Sequence, residues 1–300
     1  MVAIVGLPNA GKSTLMNRLL AQKIAIVTPK PQTTRNKILG IANDESSQIV
    51  FLDTPGMHDA KEIFNQGMMR IALESLQDAD VIVFLIDIEK TMRLPQQKEL
   101  LAAMLKHLQG IQPPVVIGLN KVDSVDKKMM LPLIDEFTTS YTFHAVIPIS
   151  ALSGDGVEDL RKTILDLLPF GPRYYPEDIP TDASERFLAG EIIREKVFLQ
   201  TGQEIPYSTA VLIESFKEDP VSGLVTIHAA IIVEKDSQKG IVIGKSGQKL
   251  KAIGTAARRD IERLTDSRVM LKLWVKVKKN WTQDKQFLQE IGFHQENNNK

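Results

Sequence analysis

The 300-residue chain has the composition of an ordinary globular protein, with 43% hydrophobic and 25% charged residues and a net charge of zero. It contains no cysteine, which excludes disulfides and cysteine-based metal sites. No apolar run approaches the ~18 residues that indicate a membrane span. The length is sufficient for two domains, each with its own core.

Five apolar runs alternate with amphipathic stretches in the first half of the chain. This pattern predicts an α/β domain at residues 1–170, with a mostly parallel sheet and helices on both faces. Ligands of such sheets bind at the carboxyl ends of the strands, where all the polar motifs of this half lie. Little chain precedes the first motif, so we expect a short N-terminal lead to be missing from this sequence. The predicted strands are at 2–5, 49–52, 81–87, 114–120 and 144–150.

The first polar motif is GLPNAGKS, from Gly6 to Ser13, between a strand run and an amphipathic stretch. It fits the G-x-x-x-x-G-K-[ST] phosphate loop, whose glycines let backbone N–H groups wrap phosphates. We expect Lys12 to contact the β- and γ-phosphates and the Ser13 hydroxyl to bind Mg²⁺. A chance glycine-containing turn is the weaker interpretation in this strand–loop–helix setting.

Two later motifs predict that the bound base is guanine. Asp123, in NKVD, can accept hydrogen bonds from guanine N1 and the exocyclic amine, whereas adenine would leave the carboxylate unpaired. Asn120 can bond the other edge of the base and the phosphate loop, and the stem of Lys121 can lie along the ring. In SALSG, at 150–154, a backbone N–H near Ala151 can bond guanine O6.

Two further stretches carry groups for a metal ion and for the terminal phosphate. In DTPG, Asp53 is suited to hold Mg²⁺ through a water, and the Gly56 N–H to meet the γ-phosphate. In PQTTRN, either Thr33 or Thr34 completes the metal shell, and we favour Thr34. The predicted Mg²⁺ ligands are therefore Ser13, Thr34 and Asp53. Both stretches are polar and weakly patterned, as expected of loops that become ordered on contact with a phosphate.

The second half follows a proline-rich stretch, LLPFGPRYYPEDIPTD, which predicts a stiff linker at 171–183. Residues 184–300 then predict a smaller α+β domain. The expected order is a helix at 184–201, strands at 207–217 and 224–235, helices around 241–265, a strand at 269–279 and a short final helix.

Charge and one glycine motif favour RNA as a ligand of this half. Residues 235–285 carry 14 basic and 5 acidic side chains, an excess that suggests a polyanionic partner. GKSG, at 244–247, fits G-x-x-G between an apolar, strand-like lead and an amphipathic helix with further basic residues. Its glycines allow close approach of a nucleic-acid backbone. The predicted RNA contacts are Gly244, Lys245, Ser246, Gly247, Lys249, Lys251 and Arg258.

The strand VMLKLWVKVKK alternates apolar and mostly basic residues. Two interpretations of the outward residues remain open. They form either a basic face with a stacking aromatic for RNA or an ordinary solvated sheet face, and the solvated face is the commoner case. The residues expected to face the core are Val269, Leu271, Leu273, Val275 and Val277. Those expected on the other side are Lys272, Trp274, Lys276 and Lys278.

Taken together, GLPNAGKS, QTTR, DTPG, NKVD and SAL resemble the five G motifs of translation-factor-like GTPases. QTTR and His58 resemble the Era family in particular. The second half is similar to the type II KH domain of that family in FLAGEIIREKVFLQTGQEIPYS, VIGKSGQKLKAIG and LWVKVKKNW. The resemblance covers essentially the whole chain. It implies a P-loop G domain at 1–170, a type II KH domain at 184–300, GTP hydrolysis, and binding of the 3′ end of small-subunit ribosomal RNA during ribosome assembly.

Position 57 holds Met, where Ras-type GTPases place a water-orienting Gln. A hydrophobic residue here is typical of the broader group that the chain resembles. Hydrolysis is therefore expected to be slow, with water placed by backbone, metal ions or a partner. Asn9 matches an Asn that ligates K⁺ beside the phosphates in related potassium-dependent GTPases, and a loop-shaping role for Asn9 is equally open.

The predicted ligands are thus GTP or GDP and Mg²⁺, with K⁺ as a further candidate. Lys12, Thr34 and Gly56 are the predicted catalytic residues. The predicted nucleotide-binding set is Asn9, Ala10, Gly11, Lys12, Ser13, Thr14, Asp53, Gly56, Asn120, Lys121, Asp123, Ser150, Ala151 and Leu152.

Three functions remain open on the sequence alone. The leading one is a GTPase switch in small-subunit maturation. The second is an RNA-binding assembly chaperone that uses GTP for ordering, with negligible turnover. The third, a tRNA-modifying GTPase, requires a catalytic domain with cysteine or a cofactor motif, and the sequence has neither. We expect a cytoplasmic monomer with the small ribosomal subunit as partner, and peripheral contact with the inner face of the cell membrane is an open alternative.

Overall fold

The computed structural model describes residues 1–57, 63–126, 128, 130–140, 142–202 and 205–291. The chain divides into two units, Met1–Asp182 and Ala183–Lys300. The segment predicted as a linker, 171–183, belongs almost entirely to the first unit. His58, one of the residues behind the family resemblance, lies outside the described residues.

A six-stranded sheet in the order β2-β3-β1-β4-β5-β6 forms the centre of the first unit. Neighbouring strands are parallel except β2 and β3. The central strands are buried on both faces, which explains why they read as continuous apolar runs. The strands are β1 (Val2–Gly6), β2 (Ile38–Asn43), β3 (Gln48–Asp53), β4 (Val81–Asp87), β5 (Val115–Asn120) and β6 (Ala145–Ile149).

Helices cover this sheet and complete the predicted α/β fold. The helix bounds are α1 (Lys12–Leu19), α2 (Ile63–Gln77), α3 (Ile88–Arg93), α4 (Pro95–His107), α5 (Met130–Ser140) and α6 (Val157–Leu167). A buried cluster joins Val5 and Phe84 of the sheet to residues of α2, α4 and α5, such as Ala72, Leu105 and Leu133. The helices α1 and α6 contact each other, and α1 packs on β1 and β3.

The sequence did not predict β2, the antiparallel edge strand. Its sequence, ILGIAN, is interrupted by Gly40 and ends in a polar residue, so it lacks a clear strand pattern. The glycine has a packing reason, because a Cβ at Gly40 would lie 2.6 Å from a methyl carbon of Leu20 at the end of α1. The hairpin to β3 is closed by Asp44, whose carboxylate accepts from the N–H groups of Ser46 and Ser47.

The proline-rich residues 173–181, here called the strap, dock on the β2–β3 hairpin. The side chain of Gln48 accepts from the N–H groups of Tyr174 and Tyr175 (2.8 and 3.0 Å) and donates to Tyr175 O (2.9 Å). The Ile41 N–H donates to Pro180 O (2.8 Å). The strap therefore satisfies part of the free edge of β2, which would otherwise expose backbone groups.

The second unit is a three-stranded sheet whose core is shared with α7, α8 and α9. The strand order is β7-β8-β9, with β7 and β8 antiparallel and β8 and β9 parallel. Its bounds are β7 (Thr209–Glu218), β8 (Val225–Val233), β9 (Val269–Val277), α7 (Glu185–Gln200), α8 (Asp236–Ile243), α9 (Gln248–Thr265) and α10 (Lys285–Glu290). None of the helices in the described ranges is long and apolar enough to cross a membrane.

The apolar residues of β9 face a core shared with α7 and α9, as the alternating pattern predicted. Ile253, Ala257 and Ile261 of α9 are fully buried in this core. One expectation is wrong: the lead into the G-x-x-G motif, Ile241–Ile243, is the last turn of α8 and not strand-like. Three consecutive apolar residues are compatible with either structure, because so short a run has no readable period.

Candidate functional site

The phosphate loop joins β1 to α1, and its backbone requires glycine at two positions. Gly6 has a φ of +147°, and a Cβ there would lie 2.3 Å from the carbonyl oxygen of Leu85. Gly11 has a φ of +100°, and a Cβ there would lie 2.3 Å from Nδ2 of Asn120. Any other residue at these positions would force the loop away from the neighbouring strands.

Lys12 is buried at the base of this loop. Its Nζ donates to the carbonyl oxygens of Gly6 (3.2 Å) and Leu7 (3.1 Å). Burial lowers the pKa of Lys12 from 10.5 to about 8, while the Asp53 carboxylate acts in the opposite direction. Because neutral carbonyls compensate a buried ammonium only in part, a phosphate at this position would be a stronger partner.

Ser13, Thr34 and Asp53 form a compact cluster beside Lys12. The Ser13 hydroxyl donates to Asp53 Oδ2 (2.6 Å) and lies 2.8 Å from the Thr34 hydroxyl, which lies 3.3 Å from the same carboxylate oxygen. Asp53 Oδ1 is buried and has no hydrogen-bond partner among the described residues. Burial raises the pKa of Asp53 from 3.8 to about 6, against the lowering effects of Ser13, Lys12 and Thr34.

This cluster fits Mg²⁺. Two hydroxyl oxygens and a carboxylate are the hard ligands that this ion prefers, and the unpartnered Asp53 Oδ1 is a buried acceptor that a cation or its bound water would satisfy. Thr33 is engaged elsewhere, since its hydroxyl contacts that of Thr28 (2.6 Å) and donates to Lys30 O (2.7 Å). The geometry therefore favours Thr34 over Thr33 as the metal ligand.

Gly56 and Met57 follow β3 and lie against the phosphate loop. A Cβ at Gly56 would lie 2.8 Å from the Cα of Pro8, so the two loops touch backbone to backbone. The Met57 N–H donates to Gly6 O (3.1 Å). The Met57 side chain is fully buried in the core of the first unit, so it is not directed into the nucleotide cleft.

Asn120, at the end of β5, links the phosphate loop to the SALSG loop. Its Nδ2 donates to Ala10 O (2.7 Å), and its Oδ1 accepts from the Ala151 N–H (2.9 Å). The bond to the phosphate loop agrees with the expectation from the sequence. The Ala151 N–H is therefore already used inside the protein.

Asp123 lies exposed at the cleft, where a base can reach it. Hydrogen bonding from the side chain of Ser150, with a further contribution from Ser124, holds the pKa of Asp123 below its usual value. The side chain is therefore a carboxylate at neutral pH. Lys121 is held by the carboxylate of Asp87 at 2.5 Å, which fixes the residue next to the predicted base site.

Two residues of α1 that the sequence did not assign hold the loops around the cleft. The carboxamide of Asn17 bonds the N–H groups of Ile24 and Ala25 (2.9 Å each) and Ala25 O (2.8 Å). Arg18 donates to the carbonyl oxygens of Ala151 (3.3 Å) and Leu152. Polar residues on a helix that follows a phosphate loop are a weak signal, because the sequence does not show which loops they reach.

The cleft at the carboxyl ends of the strands has a volume of about 510 Å³. Most of the predicted nucleotide-binding residues line it, whereas Ala10, Asp53 and Ser150 lie behind its surface. The lining residues that the sequence did not assign to nucleotide binding are Pro8, Ile26, Val27, Thr28, Pro29, Gln32, Lys90 and Ser124, together with the two threonines considered as metal ligands.

A second cavity, of about 590 Å³, lies between α9 and β9 in the second unit and is here called the groove. Gly247, Lys251 and Arg258 line it, and the other predicted RNA contacts do not. Gly244 has a φ of +72°, and a Cβ there would lie 2.7 Å from the Cβ of Lys249, which explains the first glycine of the motif. The apolar lining was not predicted and comprises Leu250, Val269, Met270, Leu271 and Leu273.

These features define a class, the P-loop GTP-binding proteins, here with a second unit that carries a G-x-x-G groove. A family model described as a 50S ribosome-binding GTPase matches residues 1–121, and a KH domain model matches residues 204–282. The GTPase Era of Geotalea daltonii is 50% identical over 97% of this chain and 96% of its own length. The chain belongs to the Era family of GTPases.

Further relatives support this assignment. The GTPase Era of Lacticaseibacillus paracasei is 46% identical over 98% of this chain and 96% of its own length. Two solved structures each match with a TM-score of 0.92 and 41% identity over 98% of both chains. One is an Era variant of Aquifex aeolicus bound to GDP and AlF4⁻, and the other is Era with MgGDPNP and nucleotides 1506–1542 of 16S ribosomal RNA.

Proposed function

We propose that this GTPase is a switch that binds single-stranded RNA at the 3′ end of small-subunit ribosomal RNA during assembly of the small subunit. The observation that carries the proposal is the full-length likeness to an Era protein that holds a GTP analogue and 16S ribosomal RNA together. The family model for the first unit names the 50S subunit instead. The full-length likeness has more weight, because that model ends at residue 121, before the unit with the groove.

Crosslinking in cells tests this proposal directly. Protein held in the GTP form is crosslinked to RNA, and the recovered RNA is sequenced. We expect the crosslinks to concentrate at the 3′ end of small-subunit ribosomal RNA. Enrichment of large-subunit RNA or of tRNA would contradict the proposal, and the variant Gly247→Asp provides the background, because an acidic side chain in the groove should repel phosphate.

The residues of the cleft have distinct roles in GTP binding and hydrolysis. Lys12 neutralises charge on the β- and γ-phosphates, and the Gly56 N–H donates to the γ-phosphate. Ser13, Thr34 and Asp53 hold Mg²⁺, which supplies charge stabilisation at the phosphates when it is bound. Asp123 selects guanine, and Asn120 holds the SALSG loop and the phosphate loop together through its two hydrogen bonds.

Slow turnover follows from position 57. The Met57 side chain is buried in the core and has no polar atom able to orient a water molecule. This burial keeps open the second candidate function, an RNA-binding chaperone with negligible turnover. Multiple-turnover phosphate release with the 16S RNA 3′ end present separates the two, because a switch must hydrolyse GTP when its RNA is bound.

We further propose K⁺ as an activating cation held by Asn9. Asn9 Nδ2 donates to Pro29 O (3.0 Å), and its Oδ1 accepts no hydrogen bond from the described residues, so Oδ1 remains available to a cation beside the phosphates. K⁺ should therefore accelerate hydrolysis relative to Na⁺ at equal ionic strength, and Asn9→Ala should remove the difference. If the unmodified protein hydrolyses GTP at the same rate in both salts, Asn9 does not hold an activating cation and only bonds Pro29.

A cytoplasmic monomer with the small ribosomal subunit as its partner completes the proposal. Both the nucleotide and the RNA are found there, and the absence of cysteine is compatible with a reducing compartment. Peripheral contact with the inner face of the cell membrane is a separate expectation, which co-sedimentation with anionic vesicles tests.

A further inference from the structure

The sheet of the second unit has one face directed away from its core, here called the outer face. The side chains of β8 and β9 alternate between the core and this face. Cross-strand pairing places His228 beside Lys272 and Ala230 beside Trp274 on the outer face, where Ala230 itself is buried. The intervening residues, such as Ile227 and Val275, belong to the buried core. Lys278 of the outer face has its Nζ 4.8 Å from the ring centroid of Phe287 on α10, and the accessible part of the face includes Lys272, Trp274 and Lys276.

The outer face combines aromatic rings with positive charge. The rings of His228 and Trp274 meet edge to face with centroids 5.9 Å apart, and Lys276 Nζ lies 5.8 Å from the Trp274 ring centroid. Lys276 is also paired with Glu214 at 2.6 Å. Lys272 is exposed and forms no ion pair with any residue in the described ranges. An aromatic ring flanked by lysines is suited to a nucleobase stacked beside a phosphate.

The groove reaches the outer face around the edge of the sheet. β9 is an edge strand, and Leu271 and Leu273, on its core side, line the groove. Met270 also lines the groove, although cross-strand pairing with Thr226 places it on the outer side. The lining therefore passes from one side of β9 to the other. The next outward residues along the same strand are Lys272 and Trp274.

We propose that the outer face is a second RNA-binding surface, on which a single strand leaving the groove crosses the β9 edge and stacks a base on Trp274. Lys272 meets the phosphate next to that base. This inference rests on the proposed binding of RNA in the groove and extends its footprint. Continuity with the groove and the positive charge favour RNA over an acidic protein, for which the Trp274–His228 ring pair has no special use.

Two RNA lengths separate the outer face from the groove. An oligonucleotide of about four nucleotides occupies a KH groove alone, whereas one of about twelve also reaches past the β9 edge. The full chain is titrated with each, and affinities are measured by fluorescence anisotropy. Trp274→Leu should weaken binding of the long RNA about fivefold or more and leave binding of the short RNA unchanged. Trp274→Phe retains a stacking ring and should restore most of the affinity.

A lysine variant supplies a test that does not disturb packing. Lys272→Gln should lower the salt slope for the long RNA by about 0.7, as expected when the protein neutralises one phosphate fewer on a single strand. Lys106→Gln, an exposed change in the first unit, is the matched control and should leave the slope unchanged.

The outcomes distinguish this inference from the function on which it rests. Suppose that Gly247→Asp removes binding of both RNAs, and that the outer-face variants leave both affinities unchanged or lower both by the same factor. The groove then binds RNA and the outer face does not. If Gly247→Asp has no effect on either RNA, the proposed groove itself is wrong. The outer-face variants could also bind the long RNA with normal affinity and yet bind the small ribosomal subunit more weakly. That result would assign the face to a protein and overturn the proposal.

Discussion

We propose that Asp123 determines the choice of base, through hydrogen bonds from guanine N1 and the exocyclic amine that adenine cannot make. The lowered pKa of Asp123, due first to the Ser150 hydroxyl, keeps the side chain ionised at neutral pH. Asp123→Asn should weaken GTP binding sharply and shift preference to xanthosine nucleotides, which carry an oxygen where guanine has its amine. Competition titration with both nucleotides measures this shift.

Asp126→Asn is the matched control for this substitution, because Asp126 is an exposed carboxylate three residues away that does not line the cleft. It should leave both affinities unchanged. Normal GTP affinity in Asp123→Asn would exclude Asp123 from base recognition.

Asp53 makes the metal-free protein sensitive to pH. Its folded pKa of about 6 lies above the ordinary value of 3.8, so the folded state holds a proton more tightly than the unfolded state between these values. The contribution of Asp53 to the free energy of unfolding is therefore largest below about pH 4 and decreases as pH rises to about 6. The total decrease is on the order of 2–3 kcal/mol.

Denaturant unfolding of metal-free and nucleotide-free protein from pH 4.5 to 7 measures this effect. Asp53→Asn cannot titrate and serves as the reference, so its stability relative to the unmodified protein should rise with pH over this range. A constant difference between the two proteins would contradict the raised pKa.

Individual residues differ in how far the sequence could predict their roles. Lys12, Ser13 and Asp123 belong to local motifs whose spacing already implies a chemical partner. The preference for Thr34 over Thr33 has its main structural support in contacts with Ser13 and Asp53, at separations of 21 and 19 residues. The burial of Met57 could not be predicted from the sequence either, because a Met after DTPG is compatible with a side chain in the core or in the cleft.

At the scale of elements, the strap is the clearest difference between the sequence and the structure. A proline-rich stretch predicts stiffness, but its docking depends on Gln48 and Ile41, more than 120 residues earlier in the chain. β2 was missed for a related reason, since an edge strand with a central glycine is stabilised by its partners and not by its own pattern. The buried parallel strands were predictable because their apolar runs are continuous.

Gln48→Ala tests whether the strap is held as the structure indicates. The substitution removes the acceptor of the Tyr174 and Tyr175 N–H groups, so hydrogen exchange at these amides should accelerate. Stability should fall by about 1–2 kcal/mol, as expected for the loss of several part-exposed hydrogen bonds.

Gln96→Ala is the control for the strap experiment, because Gln96 is an exposed glutamine on α4. It should change neither the exchange at the strap nor the stability. Unchanged exchange of both tyrosine amides in Gln48→Ala would mean that Gln48 does not hold the strap.

At the scale of the whole molecule, a GTPase switch requires that nucleotide and RNA affect each other's affinity. Thr34 and Gly56 lie where a γ-phosphate can order their loops, and the groove lies in the other unit. The RNA affinities of the GTP and GDP states must then differ, and linkage requires that RNA favours GTP by the same factor.

The most direct measurement is the affinity of the full chain for single-stranded RNA of the 16S 3′ end, with a non-hydrolysable GTP analogue and with GDP. We predict tighter binding with the analogue, by about fivefold or more. Thr34→Ala should reduce the difference, and Gly247→Asp should remove RNA binding in both states while leaving basal GTP hydrolysis nearly intact. Equal RNA affinity in the two nucleotide states would contradict a switch and leave two independent binding domains.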